Sequence, residues 1–367
     1  MTRAKMIFHL PDQINLAYAS GSQIRPLAMI KAFENIGYQV DAIIGYGKER
    51  EKKIENIRCK IRNGEKYNFF YAENSTTPSL LTEKNHIPSY PFMDFNFFAF
   101  CKEQNIPIGL FYRDIYWNFK DFMKELPLWK AWITFAFQKY DLYKYNQLID
   151  ILYLPSIKMY RYIPFEFQGK IRELYPACNL FDPIQEERAN IGTVLKMLYV
   201  GGIGHHYNLK KLVKTVGSIN GIDLTICCRK HEWDLVYKDY KTYLADNIKI
   251  IHVSGDELNN YYAQTDIACL FFEPIEYRSF AMPVKLFEYL GNGVPIIATR
   301  NTEAGDFVEK TNVGWCLEYS ENKLYEFLIN IINNRQEITV KKKCMKHIAH
   351  FHTWEARALQ VEKELSI

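Results

Sequence analysis

One grammar occurs twice along this chain and narrows its fold more than anything else: an apolar run, a glycine-bearing loop, a helical pattern, and a second apolar run. Residues 6–10 read as a strand, a loop holding Ser20, Gly21 and Ser22 follows, a helical pattern runs from Pro26 to Ile36 and closes at Gly37, and residues 40–44 read as the next strand. Parallel neighbours need a crossover connection long enough to return along the sheet, so this order predicts a doubly wound α/β sheet. Further strands are predicted at residues 69–72, 108–112 and 151–154. Pro, Asn and Asp break the pattern around residues 175–187, as in a linker. The grammar then restarts with a strand at 198–200, a loop at 201–204, a helix at 209–219 and a strand at 223–228, followed by strands at 248–252, 267–271 and 295–299. Residues 353–365 are helical in composition and fit either half.

Length agrees with two such halves. A chain of 367 residues exceeds one ordinary core, at about 100–200 residues per domain. The expected division is an N-terminal Rossmann-like domain over residues 1–185, a C-terminal one over 186–350, and a terminal helix over 351–367 packing back on the first. Apolar residues make up 48% and charged residues 24%, the balance of a folded chain. The net charge of +4 is spread without a long basic run and does not argue for nucleic acid. Eight cysteines stand singly except for Cys227 and Cys228, with no CxxC spacing, which suits reduced thiols in a cytoplasmic protein. The N-terminus lacks an apolar signal core, and no apolar run approaches the roughly 20 residues that span a bilayer, so neither secretion nor membrane crossing is expected.

Chemistry concentrates between Glu273 and Thr299. Tyr277, Ser279, Phe280, Ala281 and Met282 precede Pro283, and a helical pattern follows over residues 284–290. Proline suits a first helical turn, where its missing N–H would be unpaired, so the amides of Phe280, Ala281 and Met282 are predicted to face outward as an anion site for a diphosphate. Lys285 and Glu288 lie three apart on one helix face. The ammonium can offset phosphate charge and the carboxylate can accept two hydrogen bonds from a ribose diol, although the same pair makes an ordinary surface salt bridge.

The run from Pro283 through Lys285, Glu288, Gly293 and Pro295 to Thr299 resembles the donor-site helix and following strand of retaining GT-B glycosyltransferases, in particular family four (group 1) enzymes of bacterial polysaccharide synthesis. The resemblance implies the GT-B fold, two Rossmann-like domains with a cleft between them, and a nucleoside diphosphate sugar, UDP-sugar foremost, as co-substrate without a cofactor or metal. It implies that Glu288 holds the nucleotide ribose. Family members often carry a second glutamate eight positions earlier, where this chain has Phe280, with Glu276 nearby. Gly201 and Gly202 resemble the first loop of the family's donor domain, where glycine permits close backbone approach. Arg229 ends the second strand of that domain, where the family places nucleotide-contacting residues; pairing with Glu232 is the alternative.

In the first half, Gly21, Ser22 and Arg25 resemble the family's loop and helix start, with Gly21 and Ser22 on the donor side and Arg25 on the acceptor side; a plain turn glycine is the alternative for Gly21. Arg113 and Asp114 follow a strand and so sit at a carboxyl edge, where open α/β sheets bind ligands. They are expected as acceptor-side or catalytic residues beside Lys285, with a buried structural Arg/Asp pair as the alternative. Between Trp117 and Tyr145, rings including Phe122, Trp129, Trp132 and Phe135 interleave with Lys120, Lys124, Lys130, Lys139 and Lys144. Such a segment can lie on an anionic membrane surface, matching the lipid-linked acceptors of the family, or can be a core-facing helix with solvated lysines. The expected activity is transfer of a sugar to a saccharide or lipid-linked saccharide acceptor. A catalytically silent nucleotide-sugar-binding subunit is the first rival. A nicotinamide oxidoreductase is weaker, because GxGxxG begins at Gly202 but meets Tyr207 at its third glycine and the next strand ends in Arg229 rather than an acid.

Overall fold

The computed structural model describes residues 3–14, 21–119, 127–180, 193–204 and 207–366. They form two compact units: Met1–Tyr175 with Trp354–Ile367, and Pro176–Thr353. The first division thus falls ten residues ahead of the 185/186 boundary suggested by the linker composition, and residues 181–192 of that linker lie outside the described set.

Unit 1 runs β1 (Lys5–Leu10), α1 (Gly21–Asn35), β2 (Gln39–Ile44), α2 (Gly47–Arg62), β3 (Phe69–Glu73), α3 (Met93–Glu103), β4 (Ile108–Phe111), α4 (Leu128–Leu148), β5 (Ile151–Leu154) and β6 (Lys170–Glu173). Its strands are all parallel in the order β2-β1-β3-β4-β5-β6. Central strands of a parallel sheet are covered on both faces, which is why β4, β5 and all of β3 but its last residue, Glu73, are apolar and why all three strands are buried along their length. The aromatic richness of this half goes largely into that core: Phe8, Phe33, Phe69, Phe70 and Tyr71 are fully buried, and the Phe70 and Phe98 ring centroids are 4.7 Å apart. Strand β6 escapes prediction because, as an edge strand reading Lys-Ile-Arg-Glu, it carries no apolar run.

Helix α1 is described from Gly21 onward and so already includes the five residues ahead of the expected start at Pro26. Gly21 and Ser22 are therefore helical rather than part of a loop, and Ser20 lies outside the described residues. Pro26 sits inside the helix, where it withholds one i→i−4 bond.

Unit 2 runs β7 (Leu195–Val200), α5 (Lys210–Gly217), β8 (Ile222–Cys227), α6 (Lys230–Tyr240), β9 (Ile248–Ile251), α7 (Glu257–Gln264), β10 (Ile267–Leu270), α8 (Val284–Gly291), β11 (Ile296–Thr299), α9 (Glu303–Thr311), β12 (Gly314–Leu317), α10 (Glu321–Asn333) and α11 (Gln336–Ala349). The parallel order is β12-β11-β10-β7-β8-β9, the dinucleotide-fold order of strands 3-2-1-4-5-6 read from the other edge. Strand β12 was not expected either; it is the opposite edge and only half-buried. Helix α9 shows a sequence-encoded start and stop: the Thr302 hydroxyl accepts from the Gly305 amide, and Asn312 closes the helix at φ 57°.

The last helix, α12 (Trp354–Leu365), returns to unit 1. It buries Ala358, Val361 and Leu365, while the Tyr38 hydroxyl donates to Glu362 at 2.8 Å and Gln360 donates to the Glu173 carbonyl at 2.8 Å. Two Rossmann-like units of this kind, with a C-terminal helix, make the α/β GT-B architecture. Among the described residues no helix is long and apolar enough to cross a membrane.

Candidate functional site

In an open parallel sheet the chain leaves two adjacent strands in opposite directions at one place, and the crevice outside their carboxyl ends is where ligands bind. In unit 2 those strands are β7 and β10. The loop after β7 carries Gly201, Gly202 and Gly204. The Gly201 amide donates to the Cys227 carbonyl at 3.0 Å, the Ile203 amide to Glu232 Oε2 at 3.3 Å, and Gly204 pairs with Tyr207. A Cβ on Gly201 would lie 2.8 Å from the Tyr199 hydroxyl, and one on Gly202 would lie 3.3 Å from the Tyr207 ring. The glycines are therefore required first by packing of the loop on these two rings.

Across the crevice, the segment after β10 makes a short 3-10 turn, Glu276–Ser279. Arg278 on this turn is buried, with its guanidinium carbon 3.8 Å above the Phe272 ring centroid and 4.6 Å from that of Tyr207. It joins the two loops that flank the crevice. Burial lowers its pKa, and Tyr207, Tyr199 and Tyr277 pull in the opposite direction. Sequence reasoning passed over Arg278, since no spacing rule marks a cation stacked on rings from a distant loop.

The turn also corrects the expected anion site. The amides of Phe280 and Ala281 both donate to the Tyr277 carbonyl, closing the turn, and so do not point outward. Phe280 is only 1% exposed, with its ring edge-on to Tyr277 at 5.2 Å, and Met282 is buried. Pro283 is the N-cap of α8, with Val284 the first helical residue; Pro283 supplies no side-chain cap. The outward donors at this helix start are thus the first-turn amides of Val284 and Lys285. Tyr277 and Ser279 are half-buried on the preceding turn.

On α8, Lys285 Nζ lies 2.6 Å from Glu288 Oε2, and the Tyr262 hydroxyl of α7 donates to the same oxygen at 3.0 Å. Among the described residues Glu288 Oε1 takes no hydrogen bond. Burial, with Glu288 adding to it, raises the Tyr262 pKa, so this hydroxyl stays a donor. The helix is fixed beneath by Tyr289, whose hydroxyl accepts the Val200 amide at 2.8 Å, tying α8 to the carboxyl end of β7. Arg229 pairs with Glu232 at 2.5 Å and is more than half exposed, which is the structural alternative weighed for it. The crevice thus combines a helix start without a side-chain cap, an ammonium and a half-exposed carboxylate, a set that can hold a phosphate next to a sugar diol. Residues 195–334 match the family model described as Glycosyl transferases group 1. The chain is a GT-B protein resembling the group 1 glycosyltransferases.

Solved structures agree on this GT-B fold. Sucrose-phosphate synthase from Thermosynechococcus elongatus is 14% identical with a TM-score of 0.65, covering 98% of each chain. HepE of Anabaena in complex with UDP and glucose is 12% identical, TM-score 0.64, covering 99% of each chain. WaaG, a glycosyltransferase involved in lipopolysaccharide biosynthesis, is 10% identical, TM-score 0.58, covering 98% of this chain and 99% of its own. A comparison with curated protein sequences gives no match.

The other GT-B unit has its own switch point, between β1 and β3. There the sequence-predicted residues converge on a carboxylate that sequence reasoning missed. Glu73, the last residue of β3 and fully buried, accepts Arg25 Nε at 3.1 Å, Arg113 Nη2 at 3.2 Å and the Tyr71 hydroxyl at 3.0 Å. The Arg25 guanidinium also lies 3.5 Å over the Phe111 ring. Burial opposes the charge on Arg25, but Tyr71 and Glu73 outweigh it and its pKa is raised; for Arg113 burial wins and the pKa is lowered despite Glu73. Arg113 pairs with Glu73 rather than with Asp114. Asp114 Oδ1 instead accepts the amides of Ile115 and Tyr116 at 2.7 and 3.1 Å, shaping the loop after β4. Among the described residues no cluster of three His, Cys, Asp or Glu side chains could hold a metal ion.

The aromatic segment divides. In α4 the first turns expose Leu128, Trp129 and Trp132 at 87%, 63% and 75%, whereas Gln138, Asp141, Leu142 and Tyr145 are buried. The core-facing reading holds for the second half of the helix, while the first turns leave these apolar side chains exposed. Lys120, Phe122 and Lys124 lie outside the described residues.

Proposed function

We propose that this chain is a retaining, metal-independent glycosyltransferase that moves a hexosyl group from a UDP-sugar to a saccharide or lipid-linked saccharide acceptor of bacterial surface polysaccharide synthesis. The observation that carries the reading is α8, which presents first-turn amides without a side-chain cap, Lys285 and Glu288 at the switch point of unit 2. The family model spans this same stretch, and the similar fold of HepE is one that binds UDP and UDP-glucose. In this reading Glu288 accepts the ribose diol, Gly201 and Gly202 lie beside the sugar diphosphate, and the amides with Lys285 stabilise the negative charge left on the diphosphate as the anomeric C–O bond breaks, the acceptor oxygen bonds to that carbon and the acceptor hydroxyl proton passes to the departing phosphate oxygen. In the same reading Gly21 and Ser22 are assigned to donor binding, and Arg25, Arg113 and Asp114 to the acceptor side, where Glu73 pairs with both arginines. Assaying a panel of nucleotide sugars for binding and slow hydrolysis tests the reading: one donor is expected to bind and hydrolyse, and no response to any of them contradicts it.

Charge stabilisation by fixed amides and an ammonium requires no divalent ion, so activity should be unchanged in excess EDTA. Loss on chelation that magnesium or manganese restores would refute this part. A silent, nucleotide-binding subunit is the second reading, favoured by the burial of Phe280 where the family often has a glutamate. Binding of a nucleotide sugar without transfer or hydrolysis would select it.

The protein, in this proposal, works at the cytoplasmic face of a membrane, contacting it through the exposed start of α4. A contiguous exposed apolar patch of this kind, flanked by Lys130, suits an anionic surface. Replacing both Trp129 and Trp132 by serine is expected to reduce co-sedimentation with phosphatidylglycerol vesicles at least fivefold without changing the melting temperature; unchanged sedimentation would exclude this contact.

A further inference from the structure

The nucleotide reading locates phosphates and ribose but leaves the base unread. His252, exposed at the end of edge strand β9, has its Nδ1 2.8 Å from the Cys228 carbonyl oxygen. A carbonyl oxygen only accepts, so Nδ1 carries the hydrogen, and a neutral imidazole held this way has its Nε2 lone pair as an acceptor. The backbone just beyond β8 thereby fixes both the tautomer and the ring position.

Several contacts place this acceptor on the nucleotide's path. From the switch point at β7, the end of β9 is two strand spacings away, about 10 Å. Glu288 is tied to that side of the sheet by Tyr262, which belongs to the helix reached from β9. The Cys227 thiol, at the end of β8, donates to the Val253 carbonyl at 3.2 Å, next to His252. A nucleotide with its diphosphate at α8 and its ribose on Glu288 therefore extends its base over the ends of β8 and β9.

We propose that His252 reads the base, with Nε2 accepting the N3–H of uracil. Resting as it does on the nucleotide reading, this assignment makes a sharper demand than nucleotide binding alone. Uracil and cytosine are the same size, but N3 is a donor in uracil and an acceptor in cytosine. Cytosine would set one lone pair against another, and a polar site left unpaired discriminates more strongly than one that differs only in shape.

Calorimetric titration of the full chain with UDP and CDP tests this. Wild type is expected to bind UDP at least tenfold more tightly than CDP. His252→Phe should weaken UDP and bring the two within about threefold, while His252→Gln, whose amide oxygen can accept, should keep a clear UDP preference. Glu288→Ala should weaken both nucleotides and preserve their ratio. A wild-type preference that survives in His252→Phe, or a wild type with no UDP preference, overturns the role of His252 and leaves the nucleotide site standing. Failure of the wild type to bind either nucleotide overturns both readings.

Discussion

Replacing Glu73 by alanine is expected to destabilise unit 1 by about 3–5 kcal/mol, because it leaves the buried Arg25 and the largely buried Arg113 guanidinium groups without their shared carboxylate. Glu73 is fully buried and is the common partner of Arg25 and Arg113, with the Tyr71 hydroxyl as a third donor. The three donors come from different parts of the unit, so the carboxylate holds α1, β3 and the loop after β4 together. For a unit of this size the loss corresponds to a melting temperature lower by roughly 6–20 °C. Glu73→Gln retains an acceptor oxygen and the side-chain volume and should fall between alanine and wild type. Denaturant unfolding monitored by hydrogen exchange in β3 and β4 reads the effect on this unit directly. A cost below about 1 kcal/mol would mean that the arginines find other compensation and that Glu73 is not the centre of the cluster.

The second large effect is on binding rather than folding. Glu288→Ala should weaken UDP about 10- to 100-fold, since hydrogen bonds to a charged acceptor are worth about 1.5–3 kcal/mol and each 1.4 kcal/mol is tenfold. Glu288 is half-exposed on α8 and its present partners, Lys285 and Tyr262, both take Oε2. Its removal frees an ammonium that remains solvated, so stability should change little. Titration calorimetry separates the two expectations: affinity falls, melting temperature holds. Unchanged UDP affinity in Glu288→Ala would remove the ribose assignment and reduce the Lys285–Glu288 pair to a surface salt bridge.

Most of the fold was legible because the central strands of a parallel sheet are apolar throughout, as in residues 69–72, 108–112 and 151–154. Strand β6 was not, since an edge needs no continuous apolar run and Lys-Ile-Arg-Glu shows none, and β12, Gly-Trp-Cys-Leu, is an apolar run too short and too half-buried to stand out. The start of α1 was hidden by Pro26, a residue that suits a first turn but is tolerated here inside the helix. On α8, Pro283, Lys285 and Glu288 were legible as a helix start and an i,i+3 pair because both features are local. The outward amides were misassigned by one turn, because nothing local announces that Phe280 and Ala281 close a 3-10 turn on Tyr277. Glu73 and Arg278 were invisible for a different reason. Their partners are remote in sequence: Arg25 and Arg113 lie 48 and 40 residues from Glu73, and Tyr207 reaches Arg278 from the loop after another strand. Such pairings exist only once the strand order is known.

The central claim is that a nucleoside diphosphate sits at the switch point between β7 and β10, and hydrogen exchange of the full chain with and without UDP tests it most directly. The account predicts slowed exchange in residues 201–204, at the start of α8 around Val284 and Lys285, and in residues 252–255, with unit 1 little changed. Protection confined to unit 1, or no protection at saturating UDP, would contradict it.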